Sequence, residues 1–476
     1  MYKLILLASI LVATSSYANT FIVSDVREFR NALENAALNG EHDTIVLQKG
    51  VYHTNSDGAG AFAFSDQEAY DLTVEADTGL TAKDVVLDGD GISRVFTYFN
   101  SVRERLLTLK NISLINGLST SGEGGCIYTY LQNLTLDHSL VSKCKSTRSR
   151  GGAISSWRHV TLLHSTVSDS NLATNDSGTG TKGGGIYART SRIEYSNIIN
   201  NHGGSQGGGV YSVYATTVIN STISNNSTGS RIRSPMGGGI YASAVFITES
   251  NITNNTSYTG GGLHVYATVN IDKSIISRNS ASFESALHTD RDGKAKITNS
   301  LFSNNRGGPS FIRSNTSYYI NNNFIDNEGY LQADGVLINN IFKSSVNIDL
   351  SLTGDTKLYN NYIDYSKITQ YSNILIKRDN LQPIYDGDIQ LWIDDLMLRT
   401  DSPARDVGLD PRSTLFESTI DDIGVYNYLL PKLRYDIYLN PRNYNDTTID
   451  IGASEYGYAN YPLSVAITPL IMYLLN

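Results

Sequence analysis

The chain has few charged residues and no apolar run long enough to cross a membrane as a helix. Asp and Glu number 46 against 37 Lys and Arg, so the formal net charge at pH 7 is −9, and charged residues make up only 17%. An acidic chain lacks the basic surface that attracts nucleic acid, so we expect no nucleic-acid partner. The apolar runs fall short of the roughly 20 residues that a transmembrane helix needs.

Cysteine is nearly absent, and the two cysteines present are Cys126 and Cys144. If the chain is exported, an oxidising environment allows them to form a disulfide. Their spacing alone does not set the distance between their Cα atoms. A disulfide and a pair of stacked, buried thiols therefore both remain open.

The two ends of the chain carry short apolar segments. Residues 1–18 combine a basic Lys3, ten apolar residues and a small-x-small cleavage site at residues 16–18, which predicts a signal peptide and a secreted or cell-surface protein. No cysteine follows this run, so a lipid anchor is not expected. Residues 461–476 form an apolar tail. We interpret the tail as a terminal strand or cap, or alternatively as a segment that anchors the protein at the cell surface.

Two short motifs alternate along the middle of the chain and indicate an internal repeat. The first is Gly-Gly-small-aliphatic, followed in most copies by Tyr, and its aliphatic residue recurs every 23 to 32 residues. The last copy lacks its glycines. The aliphatic positions are Ile127, Ile154, Ile186, Val210, Ile240, Leu263 and Leu287.

The second motif is aliphatic-x-x-Ser-x-aliphatic-Ser/Thr-x-Asn, as in residues 218–226 and 247–255. It falls in phase between the glycine motifs. We predict that its last residue stacks from coil to coil as a ladder of amide side chains. The members of this ladder would be Asn201, Asn226, Asn255, Asn279 and Asn305.

The repeats predict an all-β fold, a right-handed parallel β-helix with three short strands in each coil. Apolar and polar residues alternate in runs of three to six, which is the period of a strand. Most repeats are too short for a strand–helix–strand unit of about 30 residues or more. The aliphatic residues of the glycine motif would form one inward column, each contributing roughly 1.5–3 kcal/mol by burial.

The ends of such a solenoid need caps. Residues 26–38 predict an amphipathic capping helix, with Asp25 and Glu28 as a capping box and Gly40 as its stop. We assign residues 19–345 to the β-helix with its N-terminal cap. Residues 346–460 would form the C-terminal end or closing region.

These motifs resemble those of exported β-helix proteins. Gly-Gly-Ala-Ile at residues 151–154 and Phe-x-x-Asn at 302–305 are similar to the repeats of bacterial polymorphic outer membrane proteins. Residues 23–52 resemble the entry cap of pectin-lyase-like proteins. Asp-Ile-Gly-Ala-Ser-Glu-Tyr at 450–456 resembles a closing region found in secreted β-helix proteins that end in surface anchors. The resemblance implies a right-handed β-helix and export, and is much less specific for an activity.

Strand alternation predicts a face of aromatic residues on the outside of the tube. The residue after each inward aliphatic points outward, giving the column Tyr128, Ser155, Tyr187, Tyr211, Tyr241, His264 and His288. Two positions further on, the same face carries Tyr130, Trp157, Arg189, Val213, Ser243, Tyr266 and Asp290.

Aromatic side chains repeated at the coil spacing of about 4.8 Å suit a long polysaccharide, because sugar rings stack on aromatic faces. Predicted substrate-binding residues are Tyr128, Tyr130, Trp157, Tyr187, Arg189, Tyr211, Tyr241 and Tyr266. In the alternative interpretation, the tyrosines only stabilise the sheet by stacking on one another.

A polar cluster at the end of this face is the candidate for catalysis. Related β-helix lyases commonly use an Arg or Lys base with calcium or another cation, and the resemblance therefore implies Arg291 as the base and Asp290 and Asp292 as ligands of calcium or another cation. His264 and His288 would be acid–base partners. Two carboxylates on one strand face also fit glycoside hydrolysis. An Asp-Arg-Asp-Gly sequence is equally typical of a solvated turn.

The sequence therefore predicts a secreted protein that binds an extracellular polysaccharide. It leaves open whether the protein is an enzyme, in which case a polysaccharide lyase is the first choice and a glycoside hydrolase the second. A non-enzymatic adhesin or extracellular-matrix protein is the alternative from another functional class.

Overall fold

Parallel strands wind the chain into a β-helix. The computed structural model describes residues 19–66, 70–100, 104–147, 149–173, 181–229, 234–290, 293–314, 316–343, 348–352, 357–359, 361 and 368–370. Each strand pairs in parallel with its equivalent in the next coil, and three sheets result. The predicted all-β right-handed parallel β-helix is confirmed.

Sheet A is the largest of the three sheets and carries the glycine motifs. Its strands are Asn19–Val23, Asp43–Leu47, Phe62–Asp66, Leu72–Ala76, Phe96–Asn100, Leu106–Lys110, Ile127–Tyr130, Asn133–Asp137, Ile154–Ser156, His159–Leu163, Ile186–Glu194, Val210–Ile219, Ile240–Thr248, Leu263–Asp272, Leu287–Thr289, Lys294–Thr298, Ser310–Arg313, Thr316–Ile320, Gly329–Ala333, Gly335–Ile338, Ile348–Leu352, Lys357–Tyr359 and Ile368–Gln370.

The other two sheets have shorter strands. Sheet B contains Gly50–His53, Val85–Asp88, Ser113–Ile115, Leu140–Ser142, Thr166–Ser168, Asn197–Ile199, Thr222–Ser224, Asn251–Thr253, Ile275–Ser277, Leu301–Ser303, Asn323–Ile325 and Ile341–Lys343. Sheet C contains Leu118–Ser119, Lys145–Ser146, Asn171–Leu172, His202–Gly203, Ser227–Thr228, Thr256–Thr259 and Ser280–Phe283.

The inward column of aliphatic residues is present as predicted. The seven aliphatic residues of the glycine motifs pair coil by coil along sheet A and are fully buried. Ile312 extends the column into the following coil. This continuous apolar seam is the main source of cohesion between coils, because each residue is removed from water by its neighbours above and below.

The predicted asparagine ladder is confirmed at the corner that follows sheet B. Each amide Nδ2 donates to the Oδ1 of the next asparagine at 2.8–3.1 Å, from Asn201 to Asn327. A serine ladder that the sequence analysis missed lies at the preceding corner. There, each backbone N–H from Ser139 to Ser274 donates to the hydroxyl of the next serine at 3.0–3.2 Å. The two ladders satisfy buried polar groups at both corners.

The capping helix is Val26–Ala36, and it ends two residues before the predicted terminus. Asp25 caps it by accepting a hydrogen bond from the Glu28 N–H at 2.8 Å. Phe29 lies on its buried face, with ring centroids 4.7 Å from Phe62 and 6.1 Å from Tyr52. The helix therefore covers the apolar interior at the start of the β-helix. Among the described residues, no helix is long and apolar enough to span a membrane.

Cys126 and Cys144 form a disulfide, with their Cα atoms 5.4 Å apart. This result settles the choice that the sequence left open. Cys126 lies in the first glycine motif. Cys144 occupies the corner column that continues through Ser170 into the asparagine ladder.

Several predictions lie partly or wholly outside the described residues. These are the signal peptide at residues 1–18, the closing motif at 450–456 and the apolar tail at 461–476. The domain boundary at residue 345 stays a prediction, although Ile348–Leu352 continues sheet A beyond it.

We predict that Asn255→Ala destabilises the β-helix. The Asn255 side chain bonds to Asn226 and Asn279 and donates to the Ile223 carbonyl at 2.9 Å. Since each buried group left without a partner costs about 1–3 kcal/mol, the midpoint of urea unfolding, followed by circular dichroism, should fall clearly. Asn251→Ala is the matched control, because Asn251 is only partly buried in the same coil. Equal midpoints for both variants would contradict a stabilising ladder.

Candidate functional site

The first outward column forms as predicted on the outer face of sheet A, and we call it the tyrosine column. Strand pairing aligns Tyr128, Ser155, Tyr187, Tyr211, Tyr241, His264 and His288 in successive coils. From Tyr187 onward the rings stack nearly parallel, with centroids 4.5–5.4 Å apart. The phase of the repeat was therefore predicted correctly.

The expectation that the tyrosine column is an open face is wrong for its central members. Tyr187, Tyr211 and His264 retain only 5%, 8% and 3% of their accessible surface. Burial raises the pKa of Tyr241 to about 12, so its hydroxyl stays protonated at neutral pH. For these residues the alternative interpretation, stacking that stabilises the sheet, fits the structure better.

Polar residues directly before the glycine pairs cover this column, and sequence reasoning missed them. The Arg150 guanidinium lies 5.2 Å from the Tyr187 ring centroid. Lys182 Nζ lies 4.7 Å above the Tyr211 ring and donates to its hydroxyl at 3.1 Å. Each of these side chains therefore reaches the outward residue of the next coil. The sequence signal that could have revealed these covering residues is their shared position directly before Gly-Gly.

Glu123 has the same position in its coil and fills the gap that Ser155 leaves in the tyrosine column. Its carboxylate accepts hydrogen bonds from Arg150 at 2.7 Å, from Ser155 at 2.9 Å and from the Trp157 indole at 2.9 Å. Glu123 therefore fixes the Trp157 ring in place.

The second outward column is partly or fully exposed to solvent, and we call it the exposed strip: Phe99, Tyr130, Trp157, Arg189, Tyr214 and Tyr266. Phe99, Tyr214 and Tyr266 retain 45%, 50% and 60% of their surface. The rings of Phe99 and Tyr130 stack 5.7 Å apart, and Tyr130 meets Trp157 edge-on at 6.4 Å. Arg189 lies 4.8 Å from the Tyr214 ring and donates to its hydroxyl.

Bulges explain why the predicted second column was partly wrong. The register of sheet A shifts between Ser212 and Ala215, so two residues of one coil, Val213 and Tyr214, lie opposite one residue of the next. Strict alternation selected Val213 and missed Tyr214. The bulge lies within the continuous strand Val210–Ile219.

The histidine cluster lies where the tyrosine column ends, and consists of His264, His288, Asp290 and Glu284. His288 Nε2 lies 3.2 Å and His264 Nε2 3.5 Å from Asp290 Oδ1. His288 Nδ1 lies 3.1 Å from Glu284 Oε2, although the angle is poor for a hydrogen bond. Asp290 follows Tyr266 in the next coil, since its backbone N–H donates to Val265. The cluster therefore adjoins one end of the exposed strip.

In this cluster, burial disfavours the charged form of one side chain, whereas a neighbouring side chain favours the charged form of another. Burial lowers the pKa of His264, which favours its neutral form. The adjacent His264 side chain lowers the pKa of Asp290, which stays ionised at neutral pH. The cluster thus combines the ionised carboxylate of Asp290 with the buried imidazole of His264.

The structure brings three of the predicted catalytic residues together, namely His264, His288 and Asp290. Arg291 and Asp292 lie outside the described residues, so the predicted base and the predicted calcium pair stay predictions. Glu284 belongs to the cluster as well. It occupies the position of the first glycine of the motif, with a φ of 44°.

Comparison with known proteins assigns no function to this chain. No protein-family model matches the sequence, and no curated protein matches it. Among solved structures the chain is similar to the pectate lyase Pel9A, with 14% identity and a TM-score of 0.40, over 90% of this chain and 91% of that chain. The roles of the site residues must therefore come from their own geometry.

We predict that Tyr211→Ala destabilises the protein, whereas Tyr214→Ala, three residues away in the same strand, does not. Tyr211 stacks between two tyrosines. Its truncation should therefore cost about 3 kcal/mol, but loss of the exposed Tyr214 ring should change the free energy of unfolding by at most about 0.5 kcal/mol. Urea unfolding measures both. A neutral Tyr211→Ala variant would show that the column is not a stabilising stack.

Proposed function

We propose that this chain is an exported polysaccharide-binding protein that holds an extended glycan along the exposed strip. The observation that carries the proposal is the set of exposed rings of Phe99, Tyr214 and Tyr266, with the partly exposed Tyr130 and Trp157, on one face of sheet A. The central tyrosine column lies beside this row but is too deeply buried to offer its ring faces to a ligand.

The spacing of the strip supports a linear polymer as ligand. Successive coils are about 4.8 Å apart, so the strip offers contacts along several coils, with a gap at the coil of Ser243. Aromatic rings with a polar tip match the apolar faces and hydroxyl edges of sugars. Arg189 adds an exposed positive charge, which favours an acidic polysaccharide.

Export is the second part of the proposal. The disulfide between Cys126 and Cys144 supports it, because such bonds persist mainly outside the reducing cytosol. The signal-peptide pattern of residues 1–18 points the same way.

Cleavage of the bound glycan is a further step of the proposal. A polymer lying over Tyr266 would reach Asp290 in the next coil. There, His288 lies between two carboxylates, those of Glu284 and Asp290, at 3.1 and 3.2 Å. An imidazole held in this way can accept or donate a proton within reach of the ligand.

We predict that the double variant Tyr214→Ala/Tyr266→Ala binds acidic polysaccharide about tenfold more weakly, because each lost stacking contact is worth about 0.5–1.5 kcal/mol. Retention in gels that contain polygalacturonate or alginate measures this change. Unchanged retention of the double variant would refute a binding role for the strip.

The control variant is Tyr195→Ala. Tyr195 is also 49% exposed, but lies at a corner away from the strip, stacked on His164. Its removal should leave retention unchanged. A wild-type protein that is not retained on any acidic glycan would instead favour the adhesin or matrix alternative.

Turnover is tested separately by incubating the protein with the same polysaccharides and following the ultraviolet absorbance of an unsaturated uronate product. If the protein is a lyase with Arg291 as base, Arg291→Ala should abolish the product while retention in the gel persists. A variant with wild-type turnover would exclude Arg291 as the base.

A further inference from the structure

Three potential ligand atoms converge at the histidine cluster. Asp290 Oδ1 lies 3.5 Å from His264 Nε2 and 3.2 Å from His288 Nε2. The ligand atoms of all three residues lie within 4.8 Å of one another. They come from two successive coils, so the stacking of the coils itself brings them together.

These distances suit metal ligands, although the contact between His288 and Asp290 is also within hydrogen-bonding distance. A charged N–H to carboxylate hydrogen bond is typically about 2.7–2.9 Å long. Ligands about 2.0–2.1 Å from a tetrahedral zinc ion lie about 3.3–3.4 Å from each other. The separations of 3.2 and 3.5 Å are close to that value.

Glu284 supplies a second, independent observation. Its carboxylate is almost fully buried, and its Oε2 lies 3.1 Å from His288 Nδ1, the ring nitrogen turned away from Asp290. Histidines that bind metals commonly direct their other ring nitrogen at a carboxylate. Glu284 is therefore placed to orient His288, whose Nε2 is directed at the Asp290 carboxylate.

The stack orients both imidazoles in advance. His264 lies against Tyr241 with ring centroids 5.0 Å apart, and against His288 at 4.5 Å. Asp290 is 35% exposed, which leaves a path from solvent to the ligand atoms. The site thus has rigid nitrogen ligands and one accessible oxygen ligand.

A second cluster on the same chain, formed by His53, Asp88 and Asp90, shows the distances expected when such side chains bond directly to their neighbours. His53 Nδ1 lies 2.7 Å from Asp90 Oδ1, the length of a direct hydrogen bond. Asp88 in turn accepts hydrogen bonds from Asn116 and from the Asp90 N–H. Since its groups satisfy each other, this cluster needs no ion.

We propose that His264, His288 and Asp290 bind one divalent transition-metal ion of the zinc class, with Glu284 orienting His288. Two imidazoles and a carboxylate are ligands that zinc prefers, and three protein ligands leave a fourth position for water or a ligand oxygen. Calcium instead needs six to eight oxygen ligands. The proposal does not depend on glycan binding.

The test is a titration of purified, chelator-treated protein with Zn²⁺ in a calorimeter, without polysaccharide. We expect one saturable Zn²⁺ site per chain and no comparable heat with Ca²⁺. Co²⁺ provides a second readout, because a tetrahedral nitrogen and oxygen site gives intense visible absorption bands. Failure here would leave the retention of polysaccharide by the exposed strip unaffected, so the two proposals fail separately.

The variants separate ligands from bystanders. His264→Asn should abolish zinc binding, but the residue is buried and its loss also affects folding. Asp290→Asn keeps the shape of a partly exposed side chain and should abolish the cobalt bands, while Glu284→Gln should weaken zinc binding about 10- to 100-fold. The control is His138→Asn/His164→Asn, another stacked histidine pair, 4.6 Å apart, on the same tube.

The proposal is overturned by any of three results. These are a folded wild-type protein without saturable Zn²⁺ binding, Asp290→Asn protein with wild-type affinity, or loss of binding in the His138→Asn/His164→Asn control. Circular dichroism of each variant verifies that the β-helix is intact.

Discussion

The coil-to-coil register of the β-helix is the constraint on which the rest of the structure depends. Because every strand pairs in parallel with its equivalent in the next coil, each side chain meets the side chain at the same position above and below it. Aliphatic residues gain burial from this arrangement, and asparagines and serines gain hydrogen bonds. A polar residue can therefore lie fully buried at a corner, as Asn255 does, since its neighbours in both adjacent coils are its partners.

The same register separates two surfaces that are only two or three residues apart along the strand. Side chains from the position before the glycine pair reach across to the first outward column, so Tyr211 is covered. In the second column these side chains contact Trp157, but a bulge inserts an extra residue further along, and there Tyr214 projects into solvent. A stabilising stack and an open surface thus lie next to each other on one sheet, and only the open surface is available for a ligand.

Sequence periodicity was sufficient for the direction in which side chains point, but not for what lies over them. The inward position of Ile186, the outward position of Tyr187 and the ladder position of Asn226 all followed from phase alone. The burial of Tyr187 did not, because it depends on how far a side chain of another coil, Arg150, extends. Bulges could not be predicted from the sequence either, since one inserted residue changes the phase of the strand alternation without changing the composition. The distances within the histidine cluster could be obtained only from the three-dimensional structure.

The last coil of the tyrosine column shows how a repeat can acquire chemistry without losing its fold. Imidazole replaces phenol at His264 and His288, which preserves ring stacking and adds nitrogen lone pairs. The glycine motif is lost in the coil of His288, and Glu284 takes the place of its first glycine in the left-handed region of φ. A non-glycine residue there costs about 1–2 kcal/mol, as it does at many other corners of the tube. At this position the residue places a buried carboxylate beside His288, where glycines at the equivalent positions of other coils provide no side chain.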